Sequence, residues 1–227
     1  MPSKMKYAFF IACKYTGDLA TLKRCVQSIK KQHADPTIYV IDSDSTDLSY
    51  VDEIEKLGAT VVLAQNKNYS TGMIWYAYKN YPDLDYYYFL HDSMYVAINL
   101  DSCLNHDVAT ISFFNSHKGV HRSRAGREYG FSNIEQIEWC DKMLRTYTPY
   151  SVPDLFTGVA FSVFFCKRHI LELLDSRGMS KILPLIKTND QAMERAWGIA
   201  LEAEGFSLRE KTFRHSKGVV KTFKGRH

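Results

Sequence analysis

Two hydrophobic periodicities alternate along the first hundred residues, and this alternation constrains the fold more than any other feature of the sequence. A continuous apolar run at 7–13 has the length of a buried strand. The apolar residues after it recur at helical spacing behind Asp18, a residue type that caps helices. The same alternation continues and predicts strands at 38–41, 60–64 and 86–90, with helices at 50–57 and 71–81.

Strands and helices that alternate in this way are typical of a parallel sheet with crossover helices. We therefore predict an α/β fold, with a Rossmann-like, mostly parallel sheet flanked by helices, as a single domain over residues 1–227. Ligands of such sheets bind at the carboxyl ends of the strands. Candidate binding residues are those that follow the four predicted strands, at 14–15, 42–47, 65–72 and 91–93.

The second half has a less regular pattern. Strands are predicted at 108–114 and 159–165, and the basic, glycine-containing segment 117–130 is predicted to be a mobile loop. Two capping-box patterns, Ser132 with Glu135 and Thr188 with Gln191, predict helix starts. The second of these helices has one apolar face, and a further helix is expected near 169–174. The residues of that apolar face are Met193, Ala196, Trp197 and Ala200.

Composition excludes several classes of protein. A net charge of +4 is too small to indicate a nucleic-acid binder, and no apolar stretch approaches the length of a membrane span. The five cysteines include no CxxC pair, which favours a reducing compartment and a cytoplasmic location. Motifs for dinucleotides, P-loops, the serine nucleophile and zinc are missing. The basic stretch at 209–227 suits an anionic ligand such as a diphosphate, or is a solvated tail.

Acidic residues follow two of the predicted strands. Asp42, Asp44 and Asp47 lie in VIDSDSTD, where carboxylates could bind a nucleotide's ribose and base; the same residues are common in turns that precede helices. Asp92 in HDS could hold Mg²⁺ or Mn²⁺ that bridges two phosphates, or be an ordinary turn aspartate.

Three further candidates lie in the C-terminal part of the sequence. Asp190, in the first turn of a predicted helix, could be a general base, although acids are favoured there by the helix dipole alone. His215 could complete a metal site and Lys217 could contact phosphate, or both could be surface residues of a basic tail.

These motifs together resemble the GT-A glycosyltransferases, particularly the family 2-like enzymes. The resemblance rests on a C-x-x-S-I segment from Cys25, a turn from Asp44 to Asp47, an Asn66…Gly72 pair and HDS in the place of a DxD motif. Thr157-Gly158 resembles the acceptor-side loop of these enzymes, and Asn189-Asp190-Gln191 their catalytic helix. His215 resembles a C-terminal histidine that often ligates the metal.

The resemblance implies a hexosyl- or deoxyhexosyltransferase that uses a UDP- or GDP-linked sugar, Mn²⁺ or Mg²⁺, and a glycan or glycoprotein acceptor. Residues 1–100 would bind the donor, and 101–227 would bind the acceptor and carry the catalytic base of an inverting displacement, Asp190. Asp92 and His215 would hold the metal. The residues implied in donor binding are Cys13, Tyr15, Asp42, Asp44, Asn66, Gly72, His91 and Lys217.

Two alternatives share this sheet. A sugar-nucleotide nucleotidyltransferase normally has a Gly- and Arg-rich loop after the first strand, which ACKYTGD does not supply. A non-catalytic nucleotide-sugar- or carbohydrate-binding protein fits the departure at HDS, where His91 and Ser93 replace the acids of a DxD motif.

Overall fold

The alternating pattern folds into a mixed sheet with helices on both faces. The computed structural model describes residues 5–119, 131, 133–208 and 219–221, the last three by their backbone. The helices are α1 (Leu19–Gln32), α2 (Val51–Glu55), α3 (Tyr69–Asn80), α4 (Ile134–Tyr147), α5 (Arg168–Ser176) and α6 (Lys187–Ala203). The strands are β1 (Tyr7–Cys13), β2 (Ile38–Asp42), β3 (Thr60–Val62), β4 (Tyr86–His91), β5 (Met94–Val96), β6 (Val108–Thr110), β7 (Phe113–His117), β8 (Leu155–Val159), β9 (Phe164–Lys167) and β10 (Val219–Lys221).

The main sheet has six strands in the order β3-β2-β1-β4-β9-β6. The first four of these strands are mutually parallel, as predicted, and their carboxyl ends lie at one edge. Strand β9 is antiparallel to both of its neighbours. Two further pairs, β7–β8 and β5–β10, are antiparallel. The chain is therefore an α/β fold with a mostly parallel sheet, as the sequence predicts.

Burial on both faces of the sheet explains why its strands read as continuous apolar runs. In β1, Ala8 and Phe10 pack into the core that α3 and α6 cover, whereas Phe9 and Ile11 pack toward α1 and α2. All four of these side chains are fully buried. Because both faces are covered, the carboxyl-end edge is where the sheet can receive a ligand.

Local signals set the elements from β1 to β4 within two residues of the bounds predicted for them, whereas β5 was not predicted. Helix α1 begins behind Asp18, whose carboxylate accepts a hydrogen bond from the Thr21 amide at 3.0 Å. Such a cap satisfies one of the amides that an α-helix leaves unpaired at its start. The prediction of this helix is confirmed.

Two predicted strands of the second half are wrong in the same way. The run 108–114 is split into β6 and β7, which belong to different sheets. The run 159–165 is split between β8 and β9 by a 3₁₀ turn, in which Phe161 and Ser162 have φ values of 63° and 52°. Apolar residues continue through both breaks, with Ile111 and Val163 fully buried, so hydrophobicity does not mark where the chain changes sheets.

Both predicted capping boxes also need correction. Asn133 caps α4 by accepting a hydrogen bond from the Gln136 amide at 2.9 Å, so the cap is not Ser132, which lies outside the described residues. Helix α6 begins after Ile186 without a side-chain cap, and Thr188 lies inside it. The predicted apolar face of α6, from Met193 to Ala200, is buried as expected. The predicted loop 117–130 is described only to residue 119.

Residues 219–221 lie against the main body of the fold. Strand β10 pairs with β5, and Lys221 lies opposite Met94 in that pairing. Met94 follows the HDS turn by one residue, so the backbone of β10 runs beside the carboxyl-end edge. Within the portion of the chain that the structure describes, no helix combines the length and apolar character needed to cross a bilayer.

Candidate active site

A cleft of about 470 Å³ opens at the carboxyl-end edge of the sheet. It contains five of the residues singled out in the sequence, contributed by the segments after β2, β3 and β4 and by α6: Asp44, Asn66, His91, Asp92 and Asp190. Three lysines, Lys14, Lys67 and Lys187, also line it. The prediction that these strand ends share one edge is thereby confirmed, because segments far apart in the sequence meet in one cavity.

The turn after β2 divides its two aspartates between different environments. Asp42 is 3% exposed, and its carboxylate accepts hydrogen bonds from the Ser45 amide and the Tyr50 hydroxyl, each at 2.9 Å. Burial raises the pKa of the Tyr50 hydroxyl and the bond to Asp42 adds to the rise, so this hydroxyl stays protonated and donates. Asp42 therefore stabilises the turn from the buried side, whereas Asp44, with φ 60°, lines the cleft.

Cys13 and Tyr15 support the same turn from β1. Cys13 is buried, and neither residue is among those that line the cleft. The Tyr15 amide donates to the Ser45 hydroxyl at 2.8 Å, and its ring packs 4.8 Å from the ring of Tyr50. Both residues therefore lie on the side of the VIDSDSTD turn that faces away from the cleft.

Asn66 is held by hydrogen bonds to three residues. Its amide nitrogen donates to the Tyr69 carbonyl at 2.7 Å and to the Ser43 hydroxyl at 3.3 Å. Its side-chain oxygen accepts from the Asn68 amide at 2.9 Å. Gly72 packs directly against this oxygen, and a Cβ at that position would overlap it. The Asn66…Gly72 pair is therefore one packing unit, in which Asn66 reaches the cleft and Gly72 makes room for it.

The HDS turn is fixed to the neighbouring strand. The Asp92 amide donates to the Ala12 carbonyl at 3.0 Å, which holds the turn against β1. Asp92 is 9% exposed and lines the cleft together with His91 and Ser93. Across the described ranges, no group of three His, Cys, Asp or Glu residues is arranged to hold a metal ion.

Asp190 reaches the cleft from the first turn of α6. Its Oδ2 lies 2.6 Å from Nζ of Lys187, and its Oδ1 accepts from the Ser70 hydroxyl at 3.3 Å. Lys187 also lies over the Tyr69 ring, 5.4 Å from its centroid. Asp190 is 5% exposed, and its carboxylate is held from both α3 and α6.

Sequence reasoning missed three residues of the cleft: Ala12, Leu185 and Lys187. Lys187 holds Asp190 together with Ser70, which lies in the predicted segment 65–72, and Leu185 forms part of the rim. The spacing of Lys187 and Asp190 on one helix face was a usable signal; Leu185 had none. His215 and Lys217 lie outside the described residues.

Comparisons with known proteins come from structure alone. No protein-family model matches the chain, and no curated protein matches it at a significant level. S. aureus TarS 1-349 in complex with UDP-GlcNAc matches 98% of this chain, with a TM-score of 0.50 and 15% identity. GalNAc-T7 with UDP, GalNAc and Mn²⁺ matches 99% of it, with a TM-score of 0.61 and 13% identity.

The chain spans only part of both proteins, 60% of that TarS chain and 45% of the GalNAc-T7 chain. Both are glycosyltransferases of the GT-A fold. At such low identity the likeness concerns the fold, and it agrees with the parallel sheet and the position of the cleft. The protein has the GT-A fold.

Proposed function

We propose that the protein is a glycosyltransferase that moves a hexosyl or deoxyhexosyl group from a UDP- or GDP-linked sugar to a glycan or glycoprotein acceptor. One observation carries the proposal. Asp92, at the end of β4, and Asp190, on α6, line a single cleft at the ligand-binding edge of the sheet. The two carboxylates suit the two tasks of such a transfer, which are to bind the leaving diphosphate and to accept the proton of the acceptor.

The donor is proposed to bind at the ends of β1, β2 and β3. Asp44 offers carboxylate oxygens to a ribose and a base there, and Asn66 lines the same side with its side-chain N–H groups donated to Tyr69 and Ser43. Lys14 and Lys67 add positive charge on the same side, which favours an anionic diphosphate. This proposal assigns donor binding to residues 1–100. The use of a nucleotide sugar is supported by TarS, whose solved structure contains UDP-GlcNAc.

A divalent cation fits this cleft only if it is shared with the donor. Mg²⁺ and related ions are commonly held by one or two carboxylates together with substrate phosphates. Asp92 supplies such a carboxylate beside His91, and the described residues offer no closed set of three protein ligands. Mn²⁺ or Mg²⁺, when bound, would offset the charge that develops on the departing nucleoside diphosphate. In support, the GalNAc-T7 structure contains Mn²⁺.

Asp190 is proposed as the general base of a single, inverting displacement. The base must be fixed in place and must reach the acceptor hydroxyl. Ser70 and Lys187 fix the carboxylate, and the ammonium of Lys187, on a side chain that is 63% exposed, can move as the acceptor enters. Asp190 then accepts the hydroxyl proton as the oxygen forms a bond to the anomeric carbon and the bond to the diphosphate breaks.

Release of nucleoside diphosphate tests the proposal. Purified protein is incubated with a panel of nucleotide sugars and Mn²⁺ or Mg²⁺, alongside Asp92→Asn, Asp190→Asn and Asp52→Asn. Asp52 is an exposed acid of α2 and serves as the matched control. We expect metal-dependent release from one donor, lost in the first two variants and kept in the third. If no donor is bound or turned over, the protein is not a glycosyltransferase.

The main alternative is a nucleotide-sugar-binding protein without catalysis. It is favoured by His91 and Ser93, which stand beside Asp92 where acidic ligands would make a stronger metal site. The same panel separates the two functions. A binding protein would give calorimetric affinity for one nucleotide sugar without release of nucleotide under any acceptor condition.

A further inference from the structure

A second groove of about 510 Å³ adjoins the cleft. It runs between the outer side of α3 and the segment 180–185, and three residues line both cavities: Asn66, Lys67 and Leu185. Leu185 is 73% exposed and lies between them. A chain-like ligand that reaches Asp190 from this side would therefore lie along the groove.

Side chains of mixed character line the groove. Tyr76 and the largely buried Trp75 present aromatic surface from α3, and Leu183 and Leu185 form the opposite apolar wall. Amides are interspersed among them: Gln65, Asn68 and Asn80. Aromatic surface offers packing area, and amides offer both donors and acceptors, as the faces and hydroxyls of sugar rings require.

The charge of the groove has one sign. Lys67 and Lys79 line it, and the described residues that line it include no aspartate or glutamate. The acid paired with Lys67 is Asp44, whose carboxylate is 3.9 Å away and lies on the side of the cleft. An anionic ligand is therefore complementary in charge to the groove. Along the described lining, no carboxylate would repel it.

The groove is formed in advance of binding. The Asn68 side chain donates to the Pro184 carbonyl at 3.1 Å, which ties segment 183–186 to the start of α3. Ile182 anchors the same segment in the core, where it is fully buried. This leaves Leu183, Leu185 and Ile186 facing solvent although the backbone beside them is fixed. A preformed surface binds with a smaller entropic cost than a mobile one.

We propose that this groove binds the acceptor beyond its reacting sugar, and that the acceptor is an acidic glycan carrying phosphate or carboxylate groups. The inference rests on the proposed glycosyltransferase function, to which it adds the substrate class. Lys79 would contact the acidic groups, and Tyr76 and Leu185 the sugar rings, whereas Lys67, which also lines the cleft, stays with the donor diphosphate.

Calorimetric titration with two probes of equal length tests the inference, with UDP and Mn²⁺ present. Maltohexaose and phosphorylated maltohexaose share a backbone and differ only in charge. We expect the phosphorylated probe to bind about tenfold more tightly, an advantage that falls with salt. Lys79→Gln should weaken that probe by about threefold, as expected for an exposed ion pair. Lys31→Gln, which removes an exposed lysine from the last turn of α1 as Lys79→Gln does from α3, should have no effect.

A second variant pair tests the apolar wall. Leu185→Ser should weaken both probes about equally, whereas Leu155→Ser, at a strand position that is 79% exposed, should weaken neither. Equal affinity for the two probes, or equal effects of Lys79→Gln and Lys31→Gln, would overturn the inference. A third result would also overturn it. If neither glycan binds but anionic phosphatidylglycerol vesicles do, and Lys79→Gln reduces that binding, the surface is a membrane contact. Acceptor-free donor hydrolysis by the unaltered protein reports on the proposed function separately.

Discussion

Nζ of Lys187 lies 2.6 Å from Oδ2 of Asp190, one turn apart on α6. A lysine at a helix N-terminus is opposed by the helix dipole, and a buried carboxylate requires partners. Each residue therefore compensates for the unfavourable position of the other. The candidate catalytic base is thus also a structural element of the start of α6.

Loss of this pair should be measurable as a coupling energy. We expect Lys187→Met and Asp190→Asn each to lower the free energy of unfolding, with a coupling of about 1 kcal/mol because the lysine is largely exposed. A double-mutant cycle from urea unfolding at neutral pH measures it. Lys30→Met with Asp35→Asn provides an exposed pair for comparison. Additive effects of the two α6 substitutions would show that the contact contributes nothing.

Gly72→Ala should impair nucleotide binding although alanine is the better helix former. Within α3 the substitution would add about 1 kcal/mol of helix propensity. The new Cβ would overlap the Asn66 side chain and displace it, at a loss of about 1–3 kcal/mol in hydrogen bonding. We expect lower stability and weaker calorimetric binding of UDP. In an Asn66→Ala background, Gly72→Ala should cost less; a cost as large as in the unaltered chain would contradict the packing account.

His33 should make stability depend on pH. Its side chain is fully buried, Nε2 accepts from the Leu100 amide at 3.2 Å, and Nδ1 lies 3.1 Å from Asp101. Burial lowers the pKa of His33 below its ordinary 6.5, partly offset by Asp101. The unfolded chain therefore binds a proton near pH 6.5 that the folded chain does not, so the free energy of unfolding falls as pH drops below that value.

The chain has 8 histidines, and any of them can contribute to the pH dependence of stability. The contribution of His33 is therefore measured as the difference between the unaltered protein and a His33 variant. His33→Gln should lower stability by about 1–3 kcal/mol at pH 7.5, because a buried hydrogen bond is disturbed. It should also remove part of the decline between pH 7 and pH 5. Urea unfolding of both proteins at several pH values gives the free energy of unfolding as a function of pH. The same slope for both proteins would show that His33 does not titrate as described.

The five cysteines should resist a thiol reagent while the protein is folded. All five are buried. Burial raises the pKa of the Cys140 thiol to about 12 and also raises that of Cys166, so little reactive thiolate forms at neutral pH. Reaction with 5,5′-dithiobis(2-nitrobenzoate) should be slow in buffer and reach all 5 thiols in urea. Rapid labelling of the native protein would show that a buried segment opens readily.

Sequence alone determined the first half of the fold and the edge at which the cleft forms. The strands there are buried on both faces, and their helices carry local caps and stops such as Asp18. These signals act over a few residues, so a short stretch of sequence contains them. The carboxyl ends of parallel strands must share one edge, which is why Asp44, Asn66 and Asp92 could be placed together.

Three features were decided only by the tertiary structure: where the chain changes sheets, which aspartate lines the cleft, and which residues from distant segments meet there. The apolar runs 108–114 and 159–165 each cross from one sheet to another, because buried surface continues through the change of partner. Asp42 and Asp44 are equivalent in the sequence, yet Tyr50 and Ser45 engage the first and leave the second to the cleft. Ser70 meets Asp190 across 120 residues of chain. Such contacts follow from how the helices pack on the sheet, a property of the whole chain rather than of any segment.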